Sequence, residues 1–176
     1  RPFYHSADVL ELNAIDAEKY VPFVVGHFEA TNRHINASDV KRVYDLFNGH
    51  TFYIQKTFNE SFADTREGEV CTLDTIRTAI NNIIASNDTI FREILSNIPE
   101  KQKELLYAIA KDGKAEQITS AEFIKRHRLT SASSVQSATK KLLEKDIITE
   151  RNKVYSLNDK LFAMWINKLY GNTTML

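Results

Sequence analysis

The sequence predicts a mainly α-helical protein, a helical bundle followed by a winged helix-turn-helix domain with a small β-hairpin. Three observations carry that prediction. First, between Ser131 and Leu157, Val135, Ala138, Leu142 and Leu143 recur at i, i+3, i+7 and i+8, which sets them on one helical face. Ser133, Gln136, Ser137, Lys140, Lys141 and Glu144 fall on the opposite face. Second, Ile147-Ile148 and Val154-Tyr155 flank a polar tip, Glu150-Arg151-Asn152-Lys153, as the strands of a hairpin would. Third, the charge is divided. The 176 residues have a formal net charge of zero, yet from Pro99 onward 14 Lys and Arg face 9 Asp and Glu, and the first 98 residues hold the remaining 9 and 14. An acidic part joined to a basic part argues for two domains, 1–97 and 98–176, with different partners.

In chain order, Ala7 to Leu12 reads as a short strand with Leu10 and Leu12 on one face. No second convincing strand appears before Ile147. Its ladder partner is therefore expected in a preceding part, and the start at Arg1 suggests a fragment of a longer chain. Asp16 suits the N-cap of a helix through Glu29 bearing Tyr20, Phe23, Val24 and Phe28, with Pro22 as a candidate kink. A second helix opens at Asn36 or Ser38 and closes at Asn48-Gly49. A third runs from about Thr51 to Phe62. Thr72 caps a fourth with Ile76, Ala79, Ile80, Ile83 and Ile84, and a fifth carries Ile90, Phe91, Ile94 and Leu95.

Asn97-Ile98-Pro99 is the expected boundary, with Pro99 suited to the first turn of the next helix, which stops at Asp112-Gly113. Thr119-Ser120-Ala121-Glu122 reads as a capping box opening a short helix with Phe123 and Ile124. His127 to Thr130 turns into the Ser131 helix. Three helices and a hairpin at this spacing make a winged helix. Asp159 then caps a last helix with Phe162, Trp165, Ile166 and Leu169.

Catalysis finds little support. Gly113-Lys114 lacks the earlier glycine and the hydroxyl of a P-loop, and the five histidines are scattered. No histidine–cysteine cluster has metal-ligand spacing, so no metal site is expected. A single cysteine, Cys71, cannot form an internal disulfide, no apolar run is long enough to span a bilayer, and no leader pattern opens the chain. A cytoplasmic location follows as the expectation. The features that point to a partner are the outer face of the Ser131 helix and the hairpin. In a helix-turn-helix, residues near the start of the second helix meet base edges, so Ser133, Gln136 and Ser137 are the candidates for reading DNA. Gln can bond adenine in a bidentate way, whereas Ser discriminates poorly. Lys140, Lys141, Arg126, Arg128, Arg151 and Lys153 are candidates for phosphates, with Glu144 and Glu150 opposing them. The alternatives are a surface that takes a protein partner, as an interaction or autoinhibitory module, and a stand-alone transcriptional regulator with a helical dimerisation domain.

The order of elements resembles the C-terminal portion of the prokaryotic archaeal-type AAA+/STAND P-loop ATPases. The likeness is carried by Arg1-Pro2-Phe3-Tyr4 with the strand to Leu12, by Leu46 to Tyr53, and by Pro99 to Lys103 with Ser131 to Gln136. It implies that Val9 to Leu12 is the last strand of the missing N-terminal ATPase core, and that Asp16 to about Leu95 is the helical lid. It also implies that Gly49, His50, Thr51 and Tyr53 lie near the nucleotide, as in the family's Gly-x-Pro lid motif. Here Thr51 stands where proline is usual, and His5-Ser6 replaces the family's Gly-Arg pair. On this resemblance the intact parent uses ATP and Mg²⁺. The fragment, lacking the P-loop, is expected to bind no cofactor alone and not to be an enzyme.

Overall fold

The computed structural model describes residues 15–170. The expected strand at Val9 to Leu12 lies outside them. The chain divides into two compact units that meet between Ala79 and Ile80, inside a helix. That division falls earlier than the Asn97-Ile98-Pro99 turn.

The first unit holds α1 (Ala17–Glu29), β1 (His34–Ile35), α2 (Ala37–Leu46), α3 (Thr51–Asp64), β2 (Val70–Cys71) and the start of α4 (Leu73–Ser86). Asp16 occupies the N-cap of α1, but its side chain makes no capping bond. Pro22 stands inside that helix, which runs on to Glu29. Thr72 caps α4 as expected, its Oγ1 accepting from the Thr75 N–H at 3.2 Å. Val40, Val43, Phe47, Ile54 and Ile76 make up much of the core, while Phe23 is 67% exposed. Along α3, the hydroxyls of Thr57, Ser61 and Thr65 donate to the carbonyls of Tyr53, Thr57 and Ser61, so three buried polar groups are satisfied locally. β1 and β2 pair in parallel, Ile35 opposite Cys71. The expectation of no second strand before Ile147 is thereby corrected. These strands are two residues long, too short to show alternation in sequence.

The second unit comprises the end of α4, α5 (Asp88–Ser96), α6 (Glu100–Asp112), β3 (Ala115–Glu116), α7 (Ala121–His127), α8 (Ala132–Glu144), β4 (Ile148–Arg151), β5 (Val154–Leu157) and α9 (Lys160–Leu169). The three strands form an antiparallel sheet in the order β3-β5-β4. Its buried side joins Leu105, Leu106 and Ile109 of α6 to Leu142 of α8 and to Leu161 and Ile166 of α9. Three local expectations shift. Pro99 is the N-cap of α6, one place before its first turn. The cap of α7 is Ser120, not Thr119: its Oγ accepts from the Phe123 N–H at 3.2 Å, which leaves Glu122 out of capping-box register. Ile90, Ile94 and Leu169, expected to be apolar packing residues, are exposed.

α5 packs on α9 within this unit. Phe91 is buried against Phe162 and Trp165, with ring centroids 5.2 and 5.7 Å away. The Asp88 carboxylate accepts from Trp165 Nε1 at 2.9 Å and from Arg92 Nε at 2.7 Å. These contacts explain why residues beyond Ile80 cluster with the C-terminal elements.

Candidate nucleic-acid interface

The candidate recognition element is built from its ends. Ser131 Oγ accepts from the Ser134 N–H at 3.2 Å and so starts α8 one residue later. The first turn of α8 holds no acidic residue, which leaves its N-terminal N–H groups and positive dipole end undiminished. Val135, Ala138 and Leu142 are buried as the spacing requires, joined by Thr139, whose hydroxyl donates to the Val135 carbonyl at 2.7 Å. Leu143 is only partly buried. Ser133, Gln136, Ser137, Lys140, Lys141 and Glu144 are all exposed on the opposite face.

The hairpin closes through Asn152 and Lys153, with φ of 53° and 63°. Two successive positive φ values make the two-residue primed turn whose twist matches that of the flanking strands. The tip is therefore shorter than the four-residue polar stretch suggested. Glu150 and Arg151 belong to β4 and pair with Tyr155 and Val154. Arg151 and Lys153 are exposed.

The cations on this face are not equivalent. Lys141 Nζ donates to Glu144 at 2.8 Å, and that bond, with the charges of Lys141 and Lys140, holds the Glu144 carboxyl below its usual range. Lys140 itself makes no hydrogen bond or ion pair among the described residues. Arg126 Nη2 lies 2.5 Å from Asp112 Oδ2, its Nε donates to His127 Nε2 at 3.2 Å, and its guanidinium covers the Phe123 ring. His127 Nε2 is in turn 3.2 Å from Asp112. Asp112, the last residue of α6, thus ties down the end of α7. Nothing near Arg126 in sequence announces this, because the carboxylate arrives from another helix. On the wing, burial first and then Glu150 raise the Tyr155 hydroxyl above its ordinary pKa.

In the first unit, Gly49 is buried with φ of 74° and ends α2, its N–H donating to the Tyr44 carbonyl at 3.0 Å. His50, the N-cap of α3, stacks on Tyr53 with centroids 4.7 Å apart and makes no side-chain cap bond. Thr51 is the first residue of α3. The four residues named for nucleotide are thus brought together at one helix start. The candidate interface residues Ser133, Gln136, Ser137, Lys140 and Lys141 share one exposed helix face, and Arg151 and Lys153 share the wing.

Among the described residues no group of acidic, histidine and cysteine side chains is placed to hold a metal ion. No helix among them is long and apolar enough to cross a membrane.

Comparison with known proteins bears on the fold. A family model described as a probable winged helix domain matches residues 89–168. The structure is similar to a Walker-type ATPase of Pyrococcus abyssi, with a TM-score of 0.64 at 14% identity over 88% of this chain. The aligned part is 42% of that ATPase, so the chain spans less than half of its length. No curated protein matches the sequence. The second unit is a winged helix domain, and most of the chain shares its fold with part of a Walker-type ATPase.

Proposed function

We propose that this chain is the C-terminal regulatory portion of a P-loop ATPase, in which the first unit is a nucleotide-responsive lid and the winged helix binds DNA. The observation that carries the reading is the outer face of α8. It presents small polar and basic side chains beside an exposed basic wing, the arrangement a helix needs to enter a major groove with phosphates on either side. Lid movement in the intact ATPase would reposition the winged helix. At the start of α3, the aromatic pair His50–Tyr53 and the free N–H groups fit an edge contact to a nucleotide. The phosphate cradle and Mg²⁺ ligands would come from the missing core, and no chemical step is assigned to these residues.

Binding to a random-sequence duplex at several salt concentrations tests this. Phosphate contacts predict a linear fall of log K with log salt, at about 0.9 per phosphate neutralised. No binding even at low salt would sink it. A second reading, a protein-docking winged helix, draws support from the neutralised Lys141 and from Glu150 beside Arg151. It predicts that substituting Lys140 changes the ATPase activity of the intact protein with no effect on DNA.

A further inference from the structure

We infer that Asp112, His127 and Arg126 form a proton-operated latch: protonation of the His127 ring turns the Asp112 carboxylate over to the imidazolium and releases the Arg126 guanidinium to solvent. The latch goes beyond the DNA-binding reading and does not rest on it.

The three side chains meet in a conflict at one atom. His127 Nε2 lies 3.2 Å from Arg126 Nε, which can only donate. It also lies 3.2 Å from Asp112, whose ionised oxygens can only accept. A single ring nitrogen cannot serve both. With its lone pair bare, Nε2 accepts from Arg126 and faces the carboxylate with no proton between them. With a proton, it donates to Asp112 and sets one N–H against another. The neutral ring leaves one of the two contacts unmade in either tautomer. The imidazolium has only the second arrangement, because both of its nitrogens are donors. Protonation therefore selects Asp112 as the partner of His127 and rejects Arg126.

Burial decides which cation yields. The His127 side chain is 6% exposed and that of Asp112 19%, whereas that of Arg126 is 53% exposed. A cation as buried as protonated His127 is stable only against a counter-charge. The guanidinium can turn into water at the small cost of a surface pair. Its other hold is the face of Phe123, 5.5 Å away. The same ring, itself buried, packs on His127 with centroids 4.5 Å apart and keeps the imidazole in place. The remaining charged groups nearby do not compete. Lys114, Glu116 and Glu122 line the groove that Asp112 and Arg126 share, and none of them makes an ion pair among the described residues. Lys111, Lys125 and Arg128, the neighbours in sequence, are exposed. The buried residues of α8, Val135, Ala138, Thr139 and Leu142, include no titratable group. Asp112 is the one carboxylate within ion-pair reach of the ring among the described residues.

The test follows the nitrogen-15-labelled full chain by NMR from about pH 8 to about pH 5, the span over which an imidazole changes charge. Two signals are read: the His127 ring nitrogens, and the water exchange of the Arg126 Nε–H. The exchange is taken as a ratio to that of Arg128, whose guanidinium makes no ion pair among the described residues. As His127 gains its proton, the ratio is expected to rise about fivefold with the same midpoint, as for the loss of one hydrogen bond. His127→Gln, which cannot take up a proton, should hold the ratio flat. A step that persists in His127→Gln would assign the release to protonation of Asp112 and overturn the latch. Arg126→Gln alters only an exposed side chain and gives the reciprocal readout. With the competing cation gone, the His127 midpoint should move to higher pH by about half a unit. An unmoved or lowered midpoint in Arg126→Gln overturns the latch. So does a His127 that charges while Arg126 stays protected, or one that remains neutral down to about pH 5.

Discussion

Arg126 shows how far one neighbour can change what a cation does. Sequence places it among the phosphate candidates, in a basic run from Lys125 to Arg128. Its side chain is 53% exposed, yet its guanidinium is engaged by Asp112, His127 and the face of Phe123. The carboxylate that holds it is largely covered, so a phosphate would have to displace a short, partly buried pair. Arg126→Gln should therefore leave the salt slope of duplex binding as it is. It should lower stability by about 1 kcal/mol, the upper end of the range for a pair whose cation is open to solvent. Asp112→Asn should behave differently. It releases the guanidinium, steepening the slope by about one phosphate equivalent. It also alters the 3.2 Å contact with His127, whose side chain is 6% exposed. A loss of about 1–3 kcal/mol, read from urea unfolding, is expected for disturbing a buried polar partner. A flatter slope in Arg126→Gln would show that Arg126 reaches a phosphate and that Asp112 had not been the competing ligand.

At the scale of elements, the caps of α7 and α8 decide where the outer face of α8 begins. Ser131→Ala removes the acceptor for the Ser134 N–H and should cost about 1 kcal/mol in denaturant unfolding, whereas Ser131→Asp should retain most of it. The long helices were legible because each repeats its apolar period over several turns. α8 is the clearest case, and every residue of its expected outer face is exposed. The short strands were not legible, since two residues of β1, β2 or β3 carry no alternation and exist only through their partners. The choice of Ser120 over Thr119 was equally hidden. Both carry a hydroxyl, and the register was settled by burying Phe123. For the candidate site, sequence identified which side chains face outward. It could not identify which of them are already occupied, because Asp112 approaches Arg126 from a different helix. The αL positions of Arg128 and Lys153 were also beyond it, since neither is the glycine or asparagine that normally marks such a turn.

At the scale of the molecule, the placement of the boundary has a measurable consequence. A proline after an apolar helix marks 97/98 in the sequence, but α5 lies with the winged helix, and the matching family model begins at residue 89. Phe91 is 3% exposed in a cluster with Phe162 and Trp165, and Asp88 ties the Trp165 indole and Arg92 together. A chain beginning at Ile80 should therefore fold as a cooperative unit. One beginning at Pro99 loses Phe91 and should be weaker by about 3 kcal/mol or more, the cost typical of deleting a buried Phe side chain. Trp165 is the sole tryptophan, so its emission reports both states. The two chains should also differ with pH. The bond from Arg92, followed by that from Trp165, depresses the Asp88 pKa below the carboxylate range. Its contribution is then fully present above the unfolded carboxyl pKa and disappears as pH falls through the lower folded value. Acidification should shift the Trp165 emission of the Ile80 chain in that window before global unfolding, and Asp88→Asn should abolish the step. A Pro99 chain as stable as the Ile80 chain would show that α5 only leans on the winged helix, and would move the working boundary back to the turn at Pro99.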